Sequence, residues 1–191
     1  MIRVLGIVGS PRIGGNTELF VAEALKAAEE EGAETELLRL ADKDVNPCDA
    51  CLSCRETKEC RIKDDFQMIF EKMVEADGII LASPVYFSSA TPKIKALIDR
   101  AGYVSIAKGR VFENKVGGAM AVARRAGQNF TFAQLLFFFM HQGMIVPGST
   151  YWNVAFGRGK GEVTKDEEGM ATARNFGKKI VWLIRKIKGS E

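Results

Sequence analysis

Mainly apolar runs alternate with amphipathic stretches along most of the chain. The apolar runs predict strands of a buried sheet at 2–9, 34–40, 77–84, 115–123 and 144–149. Apolar residues at helical spacing predict helices at 16–32, 64–76, 91–103, 127–143 and at the C-terminal end. Because parallel strands need crossover helices, this alternation predicts a doubly wound α/β fold, with a five-stranded parallel sheet and helices on both faces.

Two of the predicted helices have informative ends. The helix at 91–103 is expected to begin with Thr91 at its cap and Pro92 in its first turn. The basic stretch 178–191 predicts an amphipathic helix that closes the fold. Its apolar positions are expected to pack inward, namely Ile180, Leu183, Ile184 and Ile187.

Length and composition narrow the class of protein. The 191 residues, 47% hydrophobic and 27% charged, are typical of one globular domain spanning 1–191. A formal charge of +3 without a dense basic block gives no reason to expect a nucleic-acid or membrane partner. The N-terminal run does not resemble a signal peptide, so we expect a cytoplasmic and therefore reducing location.

The loop GSPRIGGNT at 9–17, after the first predicted strand, has the composition of an anion site. Ser10 and Thr17 offer hydroxyls, Asn16 an amide and Arg12 a fork-shaped cation, next to a predicted helix N terminus. The loop lacks the Gly-Lys-Ser/Thr of nucleoside-triphosphate sites and the G-x-G-x-x-G of dinucleotide sites. It therefore predicts a site for a dianionic terminal phosphate.

Two further loops are expected at the same sheet edge, where ligands bind in doubly wound folds. The loop 83–93 carries Tyr86 and Phe87, which could line a flat ring, and the loop 123–129 carries Arg124 and Arg125. Phosphate donors, aromatic side chains and amides at one edge favour a site for flavin mononucleotide (FMN).

All four cysteines lie in the stretch PCDACLSCRETKEC at 47–60, at Cys48, Cys51, Cys54 and Cys60. In a reducing location, this clustering favours a metal over disulfides. The compact C-x2-C-x2-C-x5-C spacing favours a [4Fe–4S] cluster over zinc, whose structural sites use more widely separated pairs. Zinc and redox-active thiols remain the alternatives. His141 is distant in sequence and is expected to pack at a helix end.

On these motifs the chain resembles the iron–sulfur flavoproteins, which are related to the NAD(P)H-dependent FMN reductases. The resemblance also rests on 77–100 and on HQGMIVPG at 141–148. It implies a flavodoxin-like fold, one FMN and one [4Fe–4S] cluster per subunit, and assembly as homodimers or homotetramers. It also implies electron transfer from a ferredoxin-type donor, with oxygen or peroxide as possible acceptors.

The resemblance also assigns residues to each cofactor. The phosphate would be held by Ser10, Arg12, Asn16 and Thr17, and the ring and ribityl chain would lie along Pro84, Tyr86, Phe87 and Ser88. The cluster would be held by Cys48, Cys51, Cys54 and Cys60 within an insertion at about 47–61. Where the family carries Gly-Gly-Gln, this chain has ARRAGQ. Gly127 and Gln128 match, whereas Arg124 and Arg125 could contact the flavin, tune its potential or recruit an acidic partner.

The leading hypothesis is therefore an oxidoreductase whose cluster takes single electrons and whose FMN delivers them to an acceptor. One alternative is an NAD(P)H-dependent FMN or quinone reductase with structural cysteines, which would bleach its flavin with NADPH alone. A second alternative is a non-enzymatic flavin- or metal-binding redox regulator, which would show no turnover with any donor.

Overall fold

The computed structural model describes residues 1–189. Within these residues the strands are β1 Arg3–Val8, β2 Glu34–Arg39, β3 Gly78–Pro84, β4 Val116–Ala123 and β5 Val154–Phe156. The helices are α1 Asn16–Glu30, α2 Cys54–Thr57, α3 Phe66–Glu75, α4 Pro92–Ala107, α5 Gln128–His141 and α6 Glu167–Lys188. A short 3₁₀ turn at Glu162–Lys165 precedes α6.

The five strands form one parallel sheet in the order β2-β1-β3-β4-β5. This is the flavodoxin-like order, in which β2 is added on one side of β1 and β3, β4 and β5 are added on the other side. The predicted fold class is confirmed. All strands run the same way, so the loops that follow them meet at one edge, where the candidate residues of the first three loops lie.

Helices cover both faces of the sheet, and two apolar layers result. Alternate side chains of β1 enter opposite layers, with Leu5 and Ile7 on one face and Val4 and Val8 on the other. The first layer packs against α3, α4 and α5, and the second against α1 and α6. Because both faces are covered, β4 is buried along its whole length.

The fifth strand lies later in the chain than predicted. Residues 144–149 do not form it: Ile145 makes only an isolated parallel bridge with Val116. Pro147 lacks a backbone N–H and Gly148 follows it, so this stretch cannot sustain a ladder. The strand is instead Val154–Phe156, which pairs with the C-terminal part of β4. This correction moves a further loop, starting at Gly157, to the functional edge.

Other helix expectations are met in part. Thr91 precedes α4 with Pro92 at the first helical position, but the Thr91 hydroxyl donates to the carbonyl of Gly9 at 2.7 Å instead of capping the helix. In α6, Ile180 and Ile184 are buried, Leu183 is partly buried and Ile187 is exposed. The prediction for Ile187 was wrong: this residue lies in the last turn of α6 and is not part of the apolar layer. Among residues 1–189, no helix is apolar enough over the necessary length to traverse a lipid bilayer.

Candidate functional site

A cavity of about 420 Å³ opens where the loops after β1, β3, β4 and β5 converge, and we call it the edge cavity. It is lined by Ser10, Pro11, Arg12, Asn16, Thr17, Pro84, Val85, Tyr86, Val122, Arg124, Gly157 and Arg158. The four residues predicted to hold a phosphate are therefore all in its wall, together with two of the predicted ring contacts.

The first loop delivers the N terminus of α1 to this cavity. Gly15 occupies the cap position, and no side chain caps the first turn of the helix. The preceding Gly14 has a φ of 65°, which favours glycine and lets the loop turn tightly into the helix. Ser10 is buried, and its hydroxyl accepts the N–H of Arg12 at 3.1 Å. The positive end of the helix dipole and unused N–H groups thus accompany the side chains of this wall.

Asn16 has a structural function that its sequence position did not reveal. Its Nδ2 donates to the carbonyl of Gly159 at 2.8 Å, and its Oδ1 accepts the N–H of Val163 at 3.3 Å. Asn16 therefore fastens the loop after β5 to the start of α1, while still lining the edge cavity.

The loop after β5 contributes basic residues that the sequence analysis missed. Arg158 lines the edge cavity with Arg12 and Arg124, so three arginines contribute to its wall. Lys160 approaches the first loop, since a Cβ added to Gly14 would lie 3.3 Å from the Lys160 Nζ. The sequence contains a short apolar run, VAF, followed by the basic loop GRGKG at 157–161, which is typical of a strand and the loop after it. This loop was not recognised because the fifth strand was predicted at 144–149.

The aromatic loop after β3 forms a tight turn at the rim. Tyr86 and Ser89 exchange backbone hydrogen bonds at 2.9 and 3.0 Å, and the two residues between them have positive φ. This is the geometry of a type I′ turn, which Phe87 and Ser88 adopt without glycine. Left-handed backbone disfavours a bulky residue by about 1–2 kcal/mol, and Phe87 is nevertheless fully exposed there.

A second cavity of about 590 Å³ adjoins this turn, and we call it the rim cavity. It is lined by Val85, Tyr86, Phe87, Ser88, Arg124, Arg125, Ala126 and Gly127. Val85, Tyr86 and Arg124 line both cavities, so the two spaces adjoin at these residues.

The two predicted residues of the third loop, Gly127 and Gln128, have different places relative to the cavities. Gly127 lines the rim cavity with a φ of 89°, and a Cβ added there would lie 2.7 Å from the Ser88 hydroxyl. A side chain at this position would therefore disturb the neighbouring turn. Gln128 is the first residue of α5 and lies outside the lining of both cavities.

The four cysteines line a separate small cavity of about 30 Å³, which we call the cysteine cavity. Its wall contains Cys48, Asp49, Ala50, Cys51, Leu52, Ser53, Cys54, Cys60, Arg61, Ile62, Arg100, Tyr103 and Val104. Cys48 and Cys51 are exposed, whereas Cys54 and Cys60 pack partly against the apolar layer of α3, α4 and α5. Within residues 1–189, no three His, Cys, Asp or Glu side chains stand close enough to hold a single metal ion.

The backbone of the cysteine segment, residues 47–60, curls around this cavity. Ala50 and Leu52 both have left-handed φ, of 56° and 60°, and each follows a residue with negative φ. Alternation of this kind occurs in backbone concavities that bind anions and iron–sulfur centres, but here the N–H of Cys51 donates to the Oδ1 of Asp49 at 3.2 Å. The spacer between Cys54 and Cys60 begins with the helical turn α2 and is solvent-exposed.

Neighbouring polar groups give the thiols unequal environments. Hydrogen bonds from the hydroxyl and backbone of Ser53 lower the pKa of Cys51, whose Sγ lies 3.2 Å from the Ser53 Oγ. Burial raises the pKa of Cys54, and the negative charges that the other three cysteines can carry raise it further. Arg61 pairs with Asp49 beside the exposed thiols.

A buried ion pair that sequence reasoning missed adjoins the cysteine cavity. Asp64, just before α3, and Arg100, in the middle of α4, have side chains that are 0% and 1% exposed. Burial alone would raise the pKa of Asp64, but hydrogen bonds from Arg100 and from the backbone of Asn46 and Phe66 lower it to about 2. Asp64 is therefore ionised at neutral pH and fixes the guanidinium of Arg100.

Comparison with known proteins identifies relatives over nearly the whole chain. Residues 2–159 match the NADPH-dependent FMN reductase family. An iron–sulfur flavoprotein of Methanocaldococcus jannaschii is 46% identical over 194 residues, covering 98% of this chain and 100% of the relative. An iron–sulfur flavoprotein of Methanosarcina thermophila is 38% identical over 196 residues, covering 98% and 97%.

Among solved structures, RosB with bound 8-demethyl-8-formylriboflavin-5′-phosphate has a TM-score of 0.80 to this chain. The two are 20% identical, and the match covers 99% of this chain and 81% of RosB. At this identity the similarity supports the fold alone.

Proposed function

The chain belongs to the NADPH-dependent FMN reductase family and, within it, to the iron–sulfur flavoproteins, and we propose that it carries electrons from a ferredoxin-type donor to an acceptor. The electrons would pass first to a [4Fe–4S] cluster and then to FMN, and the acceptor would be oxygen or peroxide. Membership of this family makes it a flavin-dependent oxidoreductase. The observation that carries the proposal is the presence, on one chain, of a basic cavity at the sheet edge and a second cavity lined by four thiols.

The phosphate end of the edge cavity fits FMN. Arg12 and Arg158 would pair with the phosphate, and the uncapped N terminus of α1 would supply N–H groups to it. Ser10 and Thr17 would add hydroxyl donors, and Asn16 would hold the loop after β5 in place. These residues bind and orient the terminal phosphate, which fixes the position of the rest of the cofactor.

The loops after β3 and β4 would hold the ring end. Pro84 and Tyr86 line the edge cavity, while Phe87, Ser88 and Gly127 line the adjoining rim cavity. Arg124 reaches both cavities and would place a fixed positive charge near the ring, whereas Arg125 lines the rim cavity alone. A contact between Gln128 and the flavin stays a prediction.

The donor set of the cysteine cavity fits a [4Fe–4S] cluster, because such a cluster takes one thiolate on each of its four irons and does not need three ligands on one metal ion. The space is lined by Cys48, Cys51, Cys54 and Cys60, together with the left-handed residues Ala50 and Leu52. When bound, the cluster would supply one-electron transfer and FMN one- or two-electron transfer. The exposure of Cys48 and Cys51 leaves this site open to a protein donor.

Anaerobic stopped-flow reduction tests the proposal. Reduced ferredoxin should reduce the cluster and then bleach the flavin, and a second mixing step with oxygen or peroxide should restore the flavin band. The purified protein should show both a flavin absorbance and a broad iron–sulfur shoulder. Stoichiometric zinc without iron would contradict the proposed cluster, and an absence of bound flavin would contradict the whole proposal.

A second candidate function is direct reduction of FMN by NAD(P)H, with the cysteines in a structural role. The rim cavity favours it, because this space adjoins the proposed flavin site and contains Arg124 and Arg125 as anion partners. NADPH alone should then bleach the flavin rapidly, at an equal rate in wild type and in a Cys48→Ser variant that binds no cluster. Slow bleaching by NADPH with fast bleaching by ferredoxin would exclude this candidate.

We also propose that the protein assembles as a homodimer or homotetramer. The outward face of α5 exposes Phe130, Phe137 and Met140, and the neighbouring α4 exposes Tyr103 and Ile106. Apolar side chains concentrated in this way are typical of a surface that is covered by another chain. Light scattering coupled to gel filtration measures the assembly, and a monomer at micromolar concentration would contradict it.

A further inference from the structure

Arg100 is a buried arginine whose hydrogen-bonding capacity is completely used. Its Nη1 donates to the Oδ2 of Asp64 at 2.7 Å, and its Nη2 donates to the Oδ1 at 3.0 Å. Such a bidentate pair fixes the plane of the guanidinium. The ring of Phe66 adds a cation–π contact, with its centroid 4.1 Å from the Arg100 Cζ.

The same guanidinium also donates hydrogen bonds to the backbone at both ends of the cysteine segment. Nη1 also donates to the carbonyl of Asn46 at 3.0 Å, and Nη2 donates to the carbonyl of Ile62 at 3.2 Å. Asn46 lies just before the first cysteine and Ile62 just after the last. The two ends of the segment are therefore held to α4 by one rigid side chain.

The remaining N–H group reaches a thiol. The Arg100 Nε donates to the Cys60 Sγ at 3.3 Å, which accounts for the fifth of the five donors that an arginine has. Four donors are committed to Asp64 and to two backbone carbonyls, so the guanidinium cannot rotate away from the sulfur. The contact is a built feature of the fold, unlike the exposed contact between Cys51 and Ser53.

We propose that Arg100 is a positioning residue that aims Cys60 at the cluster and, through its Nε–H, raises the cluster's reduction potential. This inference rests on the [4Fe–4S] site of the proposed function. Hydrogen bonds to the sulfur ligands are among the main determinants of cluster potential, because they stabilise the more negative reduced state. Arg100 is shielded from solvent, so water does not compete with the sulfur for its Nε–H, while Asp64 balances the charge of the guanidinium.

The test uses anaerobically purified holoprotein and two variants. They separate the clamp, which is the set of bonds from Arg100 to Asp64, Asn46 and Ile62, from the donor, which is the Nε–H that bonds to Cys60. Arg100→Lys keeps a positive charge beside Asp64 but loses the planar fork that also reaches Cys60. Asp64→Asn weakens the clamp and keeps the Nε–H. Cluster potentials come from redox titration followed by electron paramagnetic resonance, flavin potentials from visible titration, and iron content from chemical assay.

We expect Arg100→Lys to lower the midpoint potential of the cluster while the flavin midpoint and the iron content stay at wild-type values. Asp64→Asn should leave the cluster midpoint at or above that of wild type. Lys93→Met is the matched control, because Lys93 donates to the carbonyls of Leu40 and Lys43, ahead of the same segment, without bonding to a thiol. Its cluster midpoint should not move.

An unchanged midpoint in Arg100→Lys, with full iron, would overturn the inference. Equal downward shifts in Arg100→Lys and Asp64→Asn would also overturn it, because they would reduce Arg100 to a structural clamp. If Arg100→Lys binds no iron, Asp64→Asn decides: a midpoint below wild type overturns the inference, and one at or above wild type supports it. Wild-type protein without iron would instead refute the proposed function.

Discussion

Arg12 is exposed and lines the edge cavity, where we propose that the phosphate binds. Arg12→Ala removes one charge-assisted contact, which contributes about 1.5–3 kcal/mol, so FMN affinity should fall about tenfold to a hundredfold. Fluorescence titration of the flavin-free protein with FMN measures this. Arg110→Ala is the control, because Arg110 donates to the carbonyl of His141, away from the cavity. Equal affinities would mean that backbone N–H groups alone hold the phosphate.

Asp64 makes the stability of the fold dependent on pH. Its pKa is about 2 in the folded protein against an ordinary value of 3.8, so its contribution is fully present above about pH 4 and is lost as the pH falls toward 2. The shift corresponds to about 2 kcal/mol. In denaturant titrations, the difference in unfolding free energy between wild type and Asp64→Asn should shrink from pH 6 to pH 3. A constant difference would show that the charge of Asp64 does not stabilise the fold.

The two sites differ in how far they could be predicted from single residues. Ser10, Arg12 and Thr17 were predictable because one short loop carries them to a helix N terminus. Arg100 and Asp64 are 36 residues apart and stand among other charged residues on amphipathic stretches. Nothing local separates them from solvent-exposed charges. Their pairing depends on the docking of the cysteine segment against α4, which only the tertiary structure reveals.

The fifth strand shows a similar limit for whole elements. Residues 144–149 contain the stronger apolar run, whereas β5 has only three residues, Val154–Phe156. Apolar pattern alone favoured the first stretch, although Pro147 argues against a ladder there. The buried strands β1, β3 and β4 were predicted within one or two residues because their runs are long and continuous. A short edge strand depends on its neighbour more than on its own sequence.

Helices α1 and α6 pack unusually close at Gly177. A Cβ at this position would overlap the carbonyl oxygen of Ala24, and a backbone atom cannot move aside as a side-chain tip can. Gly177→Ala should therefore lower the free energy of unfolding by about 1–3 kcal/mol, near the upper end of that range. Gly148→Ala is the control, since nothing lies within 4 Å of its added Cβ. Similar thermal midpoints for the two variants would show that the helices can separate without loss of stability.

The molecule keeps its two proposed cofactor sites apart along one helix. At the start of α4, Thr91 bonds to Gly9 of the loop 9–17, and nine residues later Arg100 reaches the cysteine cavity. At a rise of 1.5 Å per residue, these two points are about 14 Å apart along the axis. Among residues 1–189, the edge cavity and the cysteine cavity have no lining residue in common. Damage to one site should therefore leave binding at the other intact.

Cys60 offers the sharpest test of that separation. Five residues separate it from Cys54, and this exposed spacer, which starts with α2, returns it to the cavity beside Arg100. Cys60→Ala should leave a three-iron cluster or none, while FMN stays at one per chain, because separate loops bind it. Iron assay, electron paramagnetic resonance and flavin absorbance together measure this.

Thr57→Ala is the matched control for Cys60→Ala, because it removes a spacer hydroxyl that bonds only to the carbonyls of Ser53 and Glu59 and to the N–H of Glu59. It should retain the full four-iron signal. If Cys60→Ala retained that signal at an unchanged potential, Cys60 would not be a ligand, and Arg100 would have no route to the cluster through it. If FMN were lost along with the iron, the two sites would be coupled through α4, contrary to the separation of their walls.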